Sequence, residues 1–181
     1  MQKLEILAIA ATNHLDPINK RLLQYIGSLI TSQNSNSSVE VIDLIPFELP
    51  LYRQDREEEE GIPEKAKEFY SRITQADVVF LSFAEHNGSF TAVYKNLFDW
   101  TSRIDQKVYQ DKPVILLSAS PGPRGGAGVL AAAEMGAPYF GMNVQAKISV
   151  PMFQESFDPA SGKIINSDIE EKIQATLTTL Y

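Results

Sequence analysis

The chain contains no cysteine. That absence excludes disulfide bridges, a thiol nucleophile and thiolate-held metal, and it is compatible with a cytoplasmic location. Histidine is nearly absent too: His14 and His86 are the only two, in separate loops, and make a poor metal-ligand set. Positive charge is in deficit, with 16 Lys and Arg against 23 Asp and Glu and a net charge of −7. Nucleic acid and anionic membrane are therefore not expected as general partners. Long apolar runs are missing. The early run Leu4 to Ala11 is too short to span a membrane and gives way to polar Thr12-Asn13-His14, without a charged leader before it. No nucleophile elbow, Ser-His-Asp pattern or carboxylate pair is visible, so hydrolysis has little support.

What the chain does contain is an ordinary globular composition, 44% hydrophobic and 22% charged over 181 residues. This length predicts one domain spanning residues 1–181, with enough chain for a real core. No internal repeat or linker interrupts it. Apolar runs alternate with helical patterns, which predicts βαβ units and a parallel sheet. Strands are expected at Leu4–Ala10, Val39–Asp43, from Val78, at Val114–Ser118 and at Val144–Val150. Helices are expected at Ile18–Thr31, Pro63–Thr74, around Val93–Trp100, at Gly126–Met135, and from a Ser167-Asp168 cap towards Leu180. Ile45 to Gly61 reads as a long irregular loop whose charged run, Asp55 to Glu60, is solvated.

Five strands with intervening helices predict a doubly wound sheet of order 2-1-3-4-5, a three-layer α/β/α sandwich. Its switch point lies between the first and third strands. The loops Ala11–Asn19, Ala84–Ser89 and Ser118–Gly126 follow strands one, three and four, so they converge at one sheet edge. Within them, Asp16-Pro17 reads as a helix cap followed by proline at the first helical position. Asn87-Gly88 is a strong turn signal.

The wording of these loops carries a resemblance. Ala84-Glu85-His86-Asn87-Gly88-Ser89, followed by Lys95-Asn96-Leu97-Phe98-Asp99-Trp100, resembles the P-E-Y-N-x-S and K-N-x-x-D-W signatures of the NADPH-dependent FMN reductase family. Ser118 to Gly126 resembles that family's third flavin loop. Ala11 to Asn19 falls where it carries a G-S-x-R-x-x-S-x-N phosphate loop. The likeness spans about residues 3–150.

This resemblance implies a flavodoxin-like fold and an FMN-dependent oxidoreductase. NADPH (or NADH) would deliver hydride, and a quinone, azo compound, free flavin or metal oxyanion would accept it. The flavin carries the hard chemistry, so no side chain is needed as a catalytic nucleophile or base. Implied phosphate contacts are Thr12, His14 and Asn19. Implied ring contacts are Ala84, Glu85, His86, Asn87 and Gly88, largely through backbone. In the third loop, Ser118, Gly122, Gly125 and Arg124 are implied, Arg124 towards cofactor or donor phosphate. The Lys95–Trp100 helix contributes to dimer contacts in the family, so a homodimer or homotetramer is expected.

The phosphate loop departs from the pattern: Ala11 replaces Gly, His14 replaces Arg and Pro17 replaces Ser. A capping Asp16 carboxylate would occupy the amides a phosphate needs and repel it. Two other readings stay open. One is an electron-carrier flavodoxin, disfavoured by the K-N-x-x-D-W helix and by the lack of an acidic, aromatic-rich third loop. The other is a flavin-free relative serving as a binding module, which the Asp16-Pro17 departure favours.

Overall fold

A computed structural model describes residues 3–180. In chain order the elements are β1 (Glu5–Ala11), α1 (Ile18–Gln33), β2 (Ser38–Asp43), a 3-10 turn (Ile45–Phe47), α2 (Gln54–Glu60) and α3 (Glu64–Gln75). Then follow β3 (Val78–Phe83), α4 (Ala92–Thr101), β4 (Lys112–Ala119), α5 (Ala127–Phe140) and β5 (Met142–Val150). The chain closes with α6 (Phe153–Ser156), β6 (Phe157–Asp158), β7 (Lys163–Ile164) and α7 (Ser167–Thr178).

The main sheet has five strands in the order β2-β1-β3-β4-β5, all pairings parallel, as the sequence predicts. Central strands β1, β3 and β4 are continuous apolar runs because helices cover both faces. Alternate residues serve the two cores. Leu7, Ile9, Val79, Leu81, Val114 and Leu116 pack with Phe69, Leu97 and Leu130 of α3, α4 and α5. Ile6, Ala8, Phe80, Ile115 and Leu117 pack with Leu22, Ile26, Ile173 and Leu177 of α1 and α7.

Several local expectations are corrected. Ile45–Gly61 is not wholly irregular, because its Glu-rich run folds as α2, with acidic Asp55 and Glu57 in the favourable first turn. That helix buries none of its residues, so the run is solvated as expected. Helix α5 runs past Met135 to Phe140; Pro138 lies in its last turn, and Gly141 closes it in the left-handed conformation at φ 68°. Helix α7 is capped by Asn166, not by Ser167 or Asp168. The Asn166 side chain accepts from the Asp168 and Ile169 amides. Nor does Asp16 cap α1: Pro17 holds the N-cap position with extended backbone, and no side chain caps that end.

The Lys95–Trp100 signature explains how the segment after β2 is held. Asn96 Oδ1 accepts from the Tyr52 amide at 2.9 Å, while Asn96 Nδ2 donates to the carbonyls of Leu49 at 2.9 Å and Pro50 at 3.2 Å. Fully buried Trp100 donates its Nε1 to the same Pro50 carbonyl at 2.8 Å and meets the Tyr52 ring edge-to-face. Arg103 grips Glu57 of α2 through Nε at 2.9 and 3.1 Å. Lys95 and Asp99, by contrast, form an exposed i,i+4 pair.

Removing Asn96 strands the Tyr52 amide and the Leu49 carbonyl, while the Pro50 carbonyl keeps Trp100; removing Lys95 strands no backbone group. Asn96→Ala is expected to lower unfolding free energy by about 1–3 kcal/mol. Lys95→Ala should lower it by less than about 0.5 kcal/mol. Urea unfolding of both variants checks this, and equal losses would deny the clasp its role.

Candidate active site

The three loops that follow β1, β3 and β4 meet around a cavity of about 310 Å³. It lies at the carboxyl edge of the sheet, beside the switch point between β1 and β3. Thr12, His14, Asp16, Pro17, Ile18 and Asn19 form one wall. Ala84, Glu85 and His86 form a second, and Ala119, Ser120 and Pro121 a third.

The first loop is built from short-range turns. Thr12 is buried, and its Oγ1 accepts from the His14 amide at 3.3 Å. His14 Nδ1 in turn accepts from the Asp16 amide at 3.1 Å. The Asp16 carboxylate turns away from the helix end and takes a bidentate pair with Arg21 Nε and Nη2. That guanidinium holds the Asp16 carboxyl below the usual carboxylate range. The consequence reverses the sequence-based concern. Among the described residues, the Ile18 and Asn19 amides at the start of α1 have no protein acceptor. They are two of the donors that any α-helix leaves open at its amino end.

Asn19 is nearly fully buried. Its Oδ1 accepts from Ser82 Oγ at 2.8 Å and from the Ala119 amide at 3.1 Å. Of its side chain, the Nδ2 hydrogens are left to offer a ligand.

In the second loop, His86 and Ser89 exchange both backbone hydrogen bonds, at 3.0 and 3.1 Å. Asn87 and Gly88 between them have φ of 52° and 77°, the left-handed pair that an Asn-Gly turn supplies. They stand at the exposed turn tip, outside the cavity lining. Glu85 Oε2 accepts from the Val129 amide at 2.8 Å. It therefore ties this loop to the first turn of α5, where a carboxylate also suits the helix dipole. The contact is close: a Cβ added at Gly128 would come within 2.8 Å of Glu85 Oε2 and 2.9 Å of the Gly88 carbonyl.

The third loop is anchored from beneath. Ser118 is fully buried, and its hydroxyl donates to the Gly125 carbonyl, which also accepts from Ser149 Oγ at 2.9 Å. Gly125 sits at φ 57°, where a Cβ would lie 2.1 Å from Ser149 Oγ. Gly122 accepts from the Met152 amide at 3.2 Å. Arg124 is 82% exposed and 3.8 Å from Glu85 Oε1.

Six of the residues singled out in the sequence thus share the cavity: Thr12, His14, Asn19, Ala84, Glu85 and His86. Asn87, Gly88, Ser118, Gly122, Arg124 and Gly125 do not line it; they shape or rim its loops. Sequence reasoning did not single out Ile18, Ala119, Ser120 and Pro121. Their place directly after β4, or at the first position of α1, was the signal available for them.

A cavity at the switch point of a 2-1-3-4-5 sheet, with free amides at the first helix, is the arrangement of a flavodoxin-like fold. Comparison with known proteins narrows this. Residues 4–155 match the family model for NADPH-dependent FMN reductase. A quinone reductase of Escherichia coli K12 is 30% identical over 141 residues, covering 72% of this chain and 71% of its own. A 2-hydroxy-1,4-benzoquinone reductase of a Burkholderia species is 29% identical over 175 residues, covering 94% and 91%. Among solved structures, the Paracoccus denitrificans flavoenzyme NAD(P)H:(acceptor) oxidoreductase FerB superposes with a TM-score of 0.76. It is 21% identical, with 97% of this chain and 94% of that one covered, and speaks for the fold. The chain belongs to the NADPH-dependent FMN reductase family. It is an oxidoreductase, with FMN as cofactor and NAD(P)H as hydride donor.

Glu85 offers a test of the loop architecture. Glu85→Ala leaves the Val129 amide without its acceptor and is expected to destabilise the protein by about 1 kcal/mol, as loss of a helix cap does. Glu85→Gln keeps an acceptor oxygen and should recover most of that loss. Thermal unfolding of the two variants decides, and an equal loss in both would assign the effect to charge.

Proposed function

We propose that this chain reduces quinones, with electrons passing from NAD(P)H through FMN held in the cavity described above. The arrangement that carries the reading is the meeting of three post-strand loops with the unclaimed Ile18 and Asn19 amides. Quinone reductase is also what several of its relatives are called. When bound, FMN supplies the capacity to take hydride from a nicotinamide and release electrons to an acceptor.

The residues present fit that group. The amides of Ile18 and Asn19, with Asn19 Nδ2, would receive the phosphate, a reading supported by both residues lining the cavity. Ala84, Ala119 and Pro121 give flat, uncharged walls for an aromatic ring. Glu85 is engaged with α5 and rim Arg124, so it acts by holding the ring wall in place. Thr12 acts in the same way on the first loop. No step needs a protein nucleophile.

The chain is further read as one domain that acts in the cytoplasm and assembles as a homodimer or homotetramer. Met135 and Tyr139 support assembly, since both stand 69% or more exposed on α5. Among the described residues, no helix is long and apolar enough to cross a membrane.

The visible absorbance spectrum, taken with added FMN and then with anaerobic NADPH, tests the reading. A bound-flavin spectrum should appear, bleach with NADPH and recover on adding a benzoquinone. Bound flavin that NADPH leaves oxidised would make the chain an electron carrier. Bleaching without recovery would exclude the quinone.

A further inference from the structure

The altered phosphate loop has a chemical consequence that depends on His14. In the structure its Nδ1 is a hydrogen-bond acceptor, receiving the Asp16 amide at 3.1 Å. An imidazole nitrogen fills that role only through its lone pair, so the contact requires Nδ1 without a proton. The arrangement copies the turn that an Asn or Asp side chain makes two residues ahead of itself.

This turn withholds a donor from the cavity. The His14 amide is held by Thr12 Oγ1, the Asp16 amide by His14 Nδ1, and Pro17 has no amide hydrogen. Fixed positive charge is withheld as well. Arg21 is committed to Asp16, and Lys20 to Asp43 at 2.6 Å. From the second loop the cavity is faced by Glu85 and His86, with Arg124 beyond Glu85. From the segment after β2, Glu48 accepts from Asn13 at 2.6 Å. Among the described residues that line the cavity, the uncommitted source of positive charge on the phosphate wall is His14 itself.

Protonating Nδ1 changes two things together. The nitrogen becomes a donor and can no longer receive the Asp16 amide, so that amide of a cavity-lining residue loses its acceptor. The ring also becomes cationic on the cavity wall that Ile18 and Asn19 share. Both changes favour a bound dianion, and linkage makes the effect reciprocal: a bound dianion favours the protonated ring.

We propose that His14 is a proton-linked latch on the phosphate cradle, so that FMN binds together with a proton taken up by this imidazole. The proposal rests on the FMN reading above and adds to it the regulation of that site. Binding should weaken as pH rises, with the phosphate itself dianionic throughout the range studied. Riboflavin lacks the phosphate and should bind without the linkage.

The test is calorimetric titration of the full apoprotein between pH 7.0 and 8.5, above the phosphate's second ionisation at about 6. FMN and riboflavin are each titrated in two buffers of different ionisation enthalpy, which reads proton uptake directly. For the unaltered chain, FMN should bind with net proton uptake, and its affinity should fall by up to about tenfold per pH unit. His14→Asn keeps an acceptor for the Asp16 amide but cannot take a proton; its FMN affinity should be pH-independent. His14→Arg should bind FMN tightly without uptake. His86→Gln removes the cavity's other imidazole and should leave the uptake intact.

Equal uptake in the unaltered chain and His14→Asn would overturn the latch, as would uptake lost in His86→Gln. FMN binding that is flat with pH in the unaltered chain would overturn the latch alone. Failure of both FMN and riboflavin to bind would overturn the FMN reading and the latch with it.

Discussion

The site depends on one buried oxygen. Asn19 Oδ1 sits where α1 crosses the ends of β3 and β4 and receives Ser82 Oγ and the Ala119 amide together. All three residues are at most 3% exposed, so neither donor has water as an alternative. A buried donor left unpaired costs about 1–3 kcal/mol, which makes this bond an expensive one to break. It also fixes the rotation of α1 about its axis and the height of its first turn above the sheet. Ile18 and Asn19, whose amides are free, line the cavity while the Asn19 side chain is fastened to the floor. Thr91 does a similar job from the other side, donating its hydroxyl to the Ala11 carbonyl at 2.9 Å while capping α4. The loops above are thus carried on polar fasteners set at the switch point.

That arrangement separates two jobs that a sequence signature runs together. The Asn96, Trp100 and Arg103 side chains reach away from the cavity and clasp the segment from Leu49 to Glu57. Their part of the signature marks how the chain after β2 is laid across α4. Ser118 and Gly125 are likewise directed into the protein, with the hydroxyl of one bonded to the carbonyl of the other. Such residues are needed for the site without touching what it holds. The three loops line the cavity half with alanine, proline and the first residues of a helix, and half with polar or charged side chains already tied into the loops or standing at its rim.

The strand order and the convergence of loops were legible because parallel strands covered on both faces must read as unbroken apolar runs, and β1, β3 and β4 do. The Asn87-Gly88 turn was legible because few other residue pairs tolerate two successive left-handed conformations. The Asp16-Pro17 cap was misread for a physical reason. A carboxylate before a proline can serve the helix amides or a nearby guanidinium, and Arg21, one turn further into α1, wins. Composition also hid the short β6–β7 hairpin, whose strands are two residues each. No sequence pattern distinguishes a serine that faces a ligand from one that faces its own loop, so Ser118 is placed only by the folded chain. The same holds for Glu85, whose carboxylate is spent on α5 forty-four residues away.

The balance of charge bears on how anions come to this cavity at all. A chain of net charge −7 repels phosphate-bearing molecules at long range. Within about 8–10 Å, however, screening by physiological salt leaves local groups in control. Locally the acids are already committed: Asp16 to Arg21, Asp43 to Lys20, and Glu85 to the Val129 amide. Helix-end amides and the exposed guanidinium of Arg124 therefore meet an incoming anion without a free carboxylate on the phosphate wall opposing them. Specificity is then set by geometry at short range. This suits an enzyme that must admit a dinucleotide donor, release it, and expose the same ring to an acceptor of different shape and charge.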